Sequence, residues 1–306
     1  MRSKDCGLNY QNYLPGNYPR EKSLDIFEKM CLVRNFEICA GRYFDIGLIK
    51  APIYLGVGHE SIPAALSIGF PDPWIFAQHR AHGIYLCYGG PIEEIIDELL
   101  GLSTGCAGGM GGSASIHCPK IKMIGHDGLM GTQIPIGAGK AMSTGEKTLV
   151  VMGDASAEED YALTTLGFAA THRPQILFVC MDNGLSVLTT KEVRRSWDLV
   201  EHASFGMPAA EVTDDPWLII ESVRELSVNL PALLNIHTCR ISPHACTRTD
   251  SLKEPEWDRF SLVKEDLKKI GLDHKIENIE QTTKRHVEKK WQEQIEEMKR
   301  VKEVRY

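Results

Sequence analysis

No stretch of this sequence is apolar for long enough to cross a bilayer. The longest runs, over 148–152 and 176–181, fall far short of the roughly 20 residues a membrane-spanning helix needs. There is no basic excess either. The 34 Lys and Arg stand against 41 Asp and Glu, a net charge of -7, which argues against the electropositive face that nucleic-acid binding requires. CxxC spacing is absent. The nine cysteines are odd in number and scattered, so they indicate no disulfide framework and read as buried thiols of a reducing compartment. The N-terminus, MRSKDCGLNY, has no apolar stretch of the kind a secretory leader carries. The expectation is a cytoplasmic protein that binds neither nucleic acid nor membrane. Two nucleotide signatures are also missing: no GxGxxG follows a strand, and the glycine-rich stretch lacks the Gly-Lys-Ser/Thr of a P-loop. A plain NAD-dependent dehydrogenase is therefore disfavoured.

What is present is an ordinary globular composition, 43% hydrophobic and 25% charged over 306 residues, enough chain to bury a large core unaided. Residues 1–20 read as an irregular arm. Apolar positions from Leu24 to Ile38 recur at helical spacing, which predicts a helix over 23–46, broken near Gly41 and Gly47. Helices are also predicted over 62–68, 92–100 and 161–170. Residues 148–152 and 176–181 are uninterrupted apolar runs ended by Gly153-Asp154 and by Asp182-Asn183-Gly184. Strand, helix, strand, with both strands apolar throughout, is a βαβ unit in a parallel sheet. A further strand is expected over 232–236, with its crossover helix in 217–230. The fold class is thus α/β, a mostly parallel sheet flanked by helices. From 251 to 306 Lys and Glu dominate, and sparse apolar positions including Trp291 predict a charged helical extension, largely solvated, whose Trp291 stripe docks on the body or on a partner.

Ligands of open parallel sheets sit outside the carboxyl ends of the strands. Neighbouring strands ending in Asp154 and Asn183 would set a carboxylate beside an amide carbonyl. These are hard oxygen donors suited to Mg²⁺ or Ca²⁺ rather than Zn²⁺. The bland alternative is a helix cap at Asp154 and a turn at Asn183-Gly184.

The arrangement Gly153-Asp154-Ala155, then Asp182-Asn183-Gly184, resembles the Gly-Asp-Gly…Asn-Asn signature of one family. That family is the alpha subunit of the two-subunit, thiamine diphosphate-dependent first component of 2-oxo acid dehydrogenase complexes of the pyruvate, branched-chain and acetoin types. Four further blocks resemble it in the same order: Gln78-His79-Arg80-Ala81-His82-Gly83, the glycine-rich 105–117, Gly125 to Gly137, and Thr238-Cys239-Arg240 leading to His244. The resemblance covers about residues 20–250, taken as one thiamine diphosphate-binding domain. It implies that Asp154, the Asn183 side chain and the Leu185 backbone carbonyl hold Mg²⁺. It implies that His79, Arg80, Gly153, Ala155 and His244 contact the diphosphate, and that Gly128 and Met130 meet the aminopyrimidine. His244 and His82 take catalytic or pocket roles. It also implies a separate beta subunit that supplies a catalytic glutamate, in an α2β2 assembly, and a lipoyl-bearing acyltransferase that receives the acyl group. The alternative is the alpha subunit of a split carboligase or transketolase-like enzyme.

This sequence departs from that pattern in places. Ala155 replaces the third Gly of the signature, which matters if the position needs φ > 0. Asp182 replaces the first Asn and could bring a second negative charge to the metal. His59 stands where Gln is usual, and His79 where Tyr is usual. Ala245-Cys246-Thr247-Arg248 replaces a Ser/Thr and acidic run.

Overall fold

The computed structural model describes residues 18–245 and 257–304. The arm expected at 1–20 lies almost wholly outside the described residues, as do Cys246, Thr247 and Arg248. Six strands form one sheet: β1 (Trp74–Phe76), β2 (Met123–Ile124), β3 (Thr148–Gly153), β4 (Ile176–Asp182), and, after a small hairpin of β5 (Leu185–Ser186) and β6 (Thr189–Thr190), β7 (Ala209–Thr213) and β8 (Ala232–His237). The sheet order is β2-β1-β3-β4-β8-β7, and every pairing in it is parallel.

The central strands are apolar at every position because both faces are covered. Leu149, Val151, Leu177 and Val179 face a layer containing α1 (Arg20–Asp45), α2 (Ser61–Gly69) and α9 (Pro216–Leu226). Val150, Met152, Phe178 and Cys180 face α5 (Gln133–Thr144) and α6 (Asp160–His172). Each fully buried Leu, Ile or Phe in these layers contributes roughly 1.5–3 kcal/mol. The crossover helix α9 starts where its sequence says it should. Pro216 occupies its first turn, and the Asp215 carboxylate accepts from the N–H groups of Trp217 and Leu218, both at 3.0 Å.

Two expectations need correction. The first helix is not broken at Gly41; α1 runs unbroken from Arg20 to Asp45. A Cβ on Gly41 would lie 3.1 Å from the Leu55 side chain, so the glycine serves close packing, which offsets its roughly 1 kcal/mol helix penalty. Nor is the charged C-terminal segment a solvated tail. Its helices α10 (Arg259–Lys269) and α11 (Asp273–Val304) join the body, and α11 packs along α1. Trp291 is fully buried, 4.9 Å from Tyr43 and 5.6 Å from Phe36, ring to ring. Buried Asp214 accepts from Trp257 Nε1 at 3.0 Å and Arg259 Nε at 2.7 Å, which ties the start of this segment down. Arg34 on α1 donates to Asp258 at 2.7 Å and to the fully buried Glu60. Among the described residues no helix is long and apolar enough to cross a membrane.

Candidate functional site

Four strands send their carboxyl ends to one cleft. After β1 come Gln78, His79 and Arg80; after β3, Asp154 and Ala155; after β4, Asn183; after β8, Arg240 and His244. Strand order reverses at β1, with β2 on one side of it and β3 on the other. Such a reversal opens a crevice at the strand tips.

The register pairs Gly153 with Met181, so Asp154 and Asp182 leave neighbouring strands side by side. Both are buried. Burial, reinforced by the Asp182 charge, pushes the Asp154 carboxyl up to about 6. Burial acts on Asp182 as well, but Lys191, whose Nζ is 2.6 Å away, holds that carboxyl below the usual range. Three cations from one short segment surround these acids. Lys191 and Arg194 belong to α7 (Lys191–Arg194), and Arg195 follows it. Arg194 donates to the Asp154 carboxylate and, at 2.9 Å, to Glu158. Arg195 Nη1 donates to the Asp154 backbone carbonyl at 3.4 Å. Asn183 Oδ1 accepts from the Leu185 N–H at 3.1 Å, which leaves it a second lone pair. Asn183 and Leu185 both line the cleft with Asp154.

Ala155 has φ -72°, a right-handed conformation open to any residue, so the absent third glycine costs the loop nothing. Gly153 is needed for another reason: a Cβ there would meet Gln78 Nε2 at 2.8 Å. Gln78 Oε1 in turn accepts from Ser156 Oγ at 2.6 Å and Gln133 Nε2 at 3.3 Å, which locks the turn after β3.

The remaining walls are basic and aromatic. Arg80 donates to the Leu55 carbonyl and, at 3.3 Å, to the His244 carbonyl. Arg240 donates to the Val187 carbonyl at 2.7 Å, so it holds the β5–β6 hairpin against the cleft, and its Nη1 lies 3.5 Å from His244 Nδ1. The rings of Tyr54, His79 and His244 pack together with centroids 4.5–5.4 Å apart. Burial first, then the neighbouring Arg80 and His244, depresses His79 to about 3, so its ring is neutral at physiological pH. Met130 lines the cleft. Gly128 does not; it borders an adjoining open hollow with His126 and Asp127.

His82 is not in the cleft. It is 1% exposed, and both ring nitrogens are engaged: Nδ1 with Glu37 at 3.0 Å, Nε2 with Ser113 Oγ at 2.7 Å. Ser113 Oγ also accepts from the Tyr54 N–H at 3.0 Å. The catalytic role expected of His82 is replaced by a positioning one, since it braces the loop that carries Tyr54. The glycine-rich loop is likewise spent on structure. Glu98, buried on α4 (Ile92–Leu100), accepts from the N–H groups of Ala107, Gly109, Gly111 and Gly112 at 2.7–2.9 Å. This is an anion-binding nest filled by the chain's own carboxylate. Gly109 has φ +75°, and a Cβ there would lie 2.4 Å from the Leu102 carbonyl.

Sequence reasoning missed the cations at Lys191, Arg194 and Arg195 and the linchpin Gln78. The basic cluster just beyond Asn183-Gly184 was the available signal. Among the described residues no group of three or more His, Cys, Asp or Glu could hold a metal. A cation here would instead take one carboxylate, one amide oxygen and a backbone carbonyl. Those donors fit a hard ion with room left for phosphate oxygens.

Comparison with known proteins identifies the family. The family described as Dehydrogenase E1 component matches residues 34–305. The pyruvate dehydrogenase E1 component subunit alpha of Zymomonas mobilis is 27% identical over 249 residues, covering 76% of this chain and 70% of its own. The testis-specific, mitochondrial form from Rattus norvegicus is 28% identical over 212 residues, covering 67% and 53%. The mitochondrial protein of Sminthopsis macroura is 27% identical over 239 residues, covering 74% and 65%. The chain thus spans between about half and seven-tenths of the length of these relatives. The mammalian ones are named as mitochondrial, which overturns the cytoplasmic placement expected from the N-terminus. With the family covering nearly all of its described residues, and with relatives that are all alpha subunits, this chain belongs to the dehydrogenase E1 component family as an alpha-type member.

Proposed function

We propose that this chain is the alpha subunit of a thiamine diphosphate- and Mg²⁺-dependent 2-oxo acid dehydrogenase, decarboxylating its substrate and passing the acyl group to a lipoyl carrier. The observation that carries this is the convergence of Asp154, Asn183, Arg80, Arg240 and His244 on one cleft from four separate strand ends. When bound, thiamine diphosphate supplies a carbon nucleophile that adds to a carbonyl and stores the resulting electron pair.

This chain's part is to hold, orient and enclose. Asp154, the Asn183 side-chain oxygen and the Leu185 carbonyl would hold Mg²⁺, and Arg194 must first release the Asp154 carboxylate. Arg80 suits phosphoryl oxygens, because its planar fork matches their geometry. The neutral His79 can donate one hydrogen bond, and Gly153 and Ala155 let the backbone lie close. Met130, with Gly128 beyond it, would meet the other end of the ligand. His244, which lines the cleft, can donate or accept a hydrogen bond there through its ring. The carboxylate that starts the chemistry would come from a beta-type partner, in an α2β2 assembly.

Titration calorimetry of the chain, with and without a co-expressed beta-type partner, tests the cofactor. Heat with thiamine diphosphate that depends on Mg²⁺ is expected; no uptake even with the partner would sink the reading. Reduction of a lipoyl domain by the assembled pair tests the acceptor.

A further inference from the structure

His59 is the most conspicuous unsatisfied group of the cleft. It is 3% exposed, it lines the cleft wall, and neither of its ring nitrogens has a hydrogen-bond partner. Its backbone is fixed on both sides: the N–H donates to the Gly56 carbonyl at 2.9 Å, and the carbonyl accepts from Ile62 at 3.2 Å. The next residue, Glu60, is held by Arg34 and the Gly58 N–H. A small space also bordered by His59 is lined mainly by the apolar Val33, Pro63, Ile84 and Met181, with Arg80 as its charged side chain. A buried imidazole without partners destabilises a fold unless something else meets it.

The surroundings say what that something is. The charges acting on His59 come from Arg80, Arg240 and His79. Burial first, then these groups, pushes the ring well below its ordinary pKa, so it presents one N–H and one lone pair. A cation at this place would face two guanidiniums. An anionic oxygen would meet those guanidiniums and the imidazole N–H together.

We propose that His59 is a binding residue of the cleft whose ring N–H donates to a phosphoryl oxygen held by Arg80 and Arg240. This rests on the thiamine diphosphate reading above and adds to it a donor that the resemblance does not supply. A ligand role and a packing role predict opposite signs for one substitution. His59→Leu removes an orphaned polar group and keeps the volume. As a ligand-site change it should leave the free chain melting at or above the wild-type temperature while weakening phosphoryl binding.

The experiment uses the full chain, Mg²⁺ and inorganic pyrophosphate as probe, followed by calorimetry, thermal melts and the ring N–H resonances of ¹⁵N-histidine-labelled protein. Expected are a loss of about tenfold in pyrophosphate affinity for His59→Leu, less than about threefold for His59→Gln, which keeps an N–H, and a shift of the His59 ring signal on pyrophosphate addition. Equal affinity in wild type and His59→Leu overturns the proposal, as does a lowered melting temperature with affinity unchanged. Should His59→Leu fail to fold, the His59→Gln affinity and the ring resonance decide: an unmoved resonance overturns the proposal. If the wild-type chain takes up no pyrophosphate even when assembled with its beta-type partner, the thiamine diphosphate reading fails first and this inference falls with it.

Discussion

Two sets of buried polar groups in this fold are treated in opposite ways. Around Glu98 and His82 the groups that position the glycine-rich loop are met within the chain, with four N–H groups on one carboxylate and a Glu37–His82–Ser113 relay, although the second oxygen of Glu37 has no partner. Around the cleft the balance is provisional. Asp154 is held by Arg194, a residue of a four-residue helix, and His59 has no partner. Both regions are rich in glycine, histidine and acid, so composition does not separate them. What separates them is whether the chain has already satisfied its own groups.

The contrast can be broken by substitutions that act on the wrong property. Asp154→Ala should abolish measurable Mg²⁺-dependent thiamine diphosphate binding, a loss beyond the roughly 100-fold seen for outer-shell ligand partners, with little change in melting temperature; calorimetry beside a thermal melt reads both. Glu98→Gln should do the reverse. It weakens four charge-assisted hydrogen bonds and should cost about 2–3 kcal/mol of stability in urea unfolding, with cofactor affinity per folded molecule preserved. A large affinity loss there would erase the distinction between the regions. Arg194→Gln sharpens it: freed from its internal competitor, Asp154 should take Mn²⁺ up to about tenfold more tightly, by paramagnetic titration. Weaker uptake would make Arg194 part of the site rather than its stopper.

The smallest effect is at Asp258, on the satisfied side. Burial works against its ionisation, but Arg34 holds its carboxyl below the ordinary value of 3.8. With a folded pKa below the unfolded one, the unfolded chain binds more protons in acid. The stabilisation is therefore complete at neutral pH and is lost as pH falls through and below 3.8. Asp258→Asn should lower stability at pH 7 by at most about 1 kcal/mol, and the gap to wild type should close in acid. A gap independent of pH would show that the ion pair is not its source.

The central strands were legible because both their faces are buried, which makes 148–152 and 176–181 uninterrupted apolar runs. The edges were not. β1 and β2 have three and two residues, too few for a periodic signal, and β7, Ala-Ala-Glu-Val-Thr, mixes polar and apolar at an edge. No helix is expected over α5, where Pro135, Gly137 and Gly139 obscure the helical pattern; in the fold Gly137 is a contact surface, where a Cβ would sit 2.4 Å from Val150. At the site, motif spacing located Asp154, Asn183, Arg80 and His244 on one cleft. It left the role of His82 open, because a histidine beside a binding loop and a histidine bracing that loop have the same neighbours in sequence. It could not find Glu98, whose partners are nine to fourteen positions away in a loop of no fixed period.

The pairing of α1 with α11 reaches from one end of the described chain to the other. Trp291 fills a hole whose walls, Phe36 and Tyr43, leave the ribosome some 250 residues earlier. Contacts of such wide separation close late and slow the search for the native state. During synthesis the first helix must wait with that groove open, a surface on which a nascent-chain chaperone would have time to act.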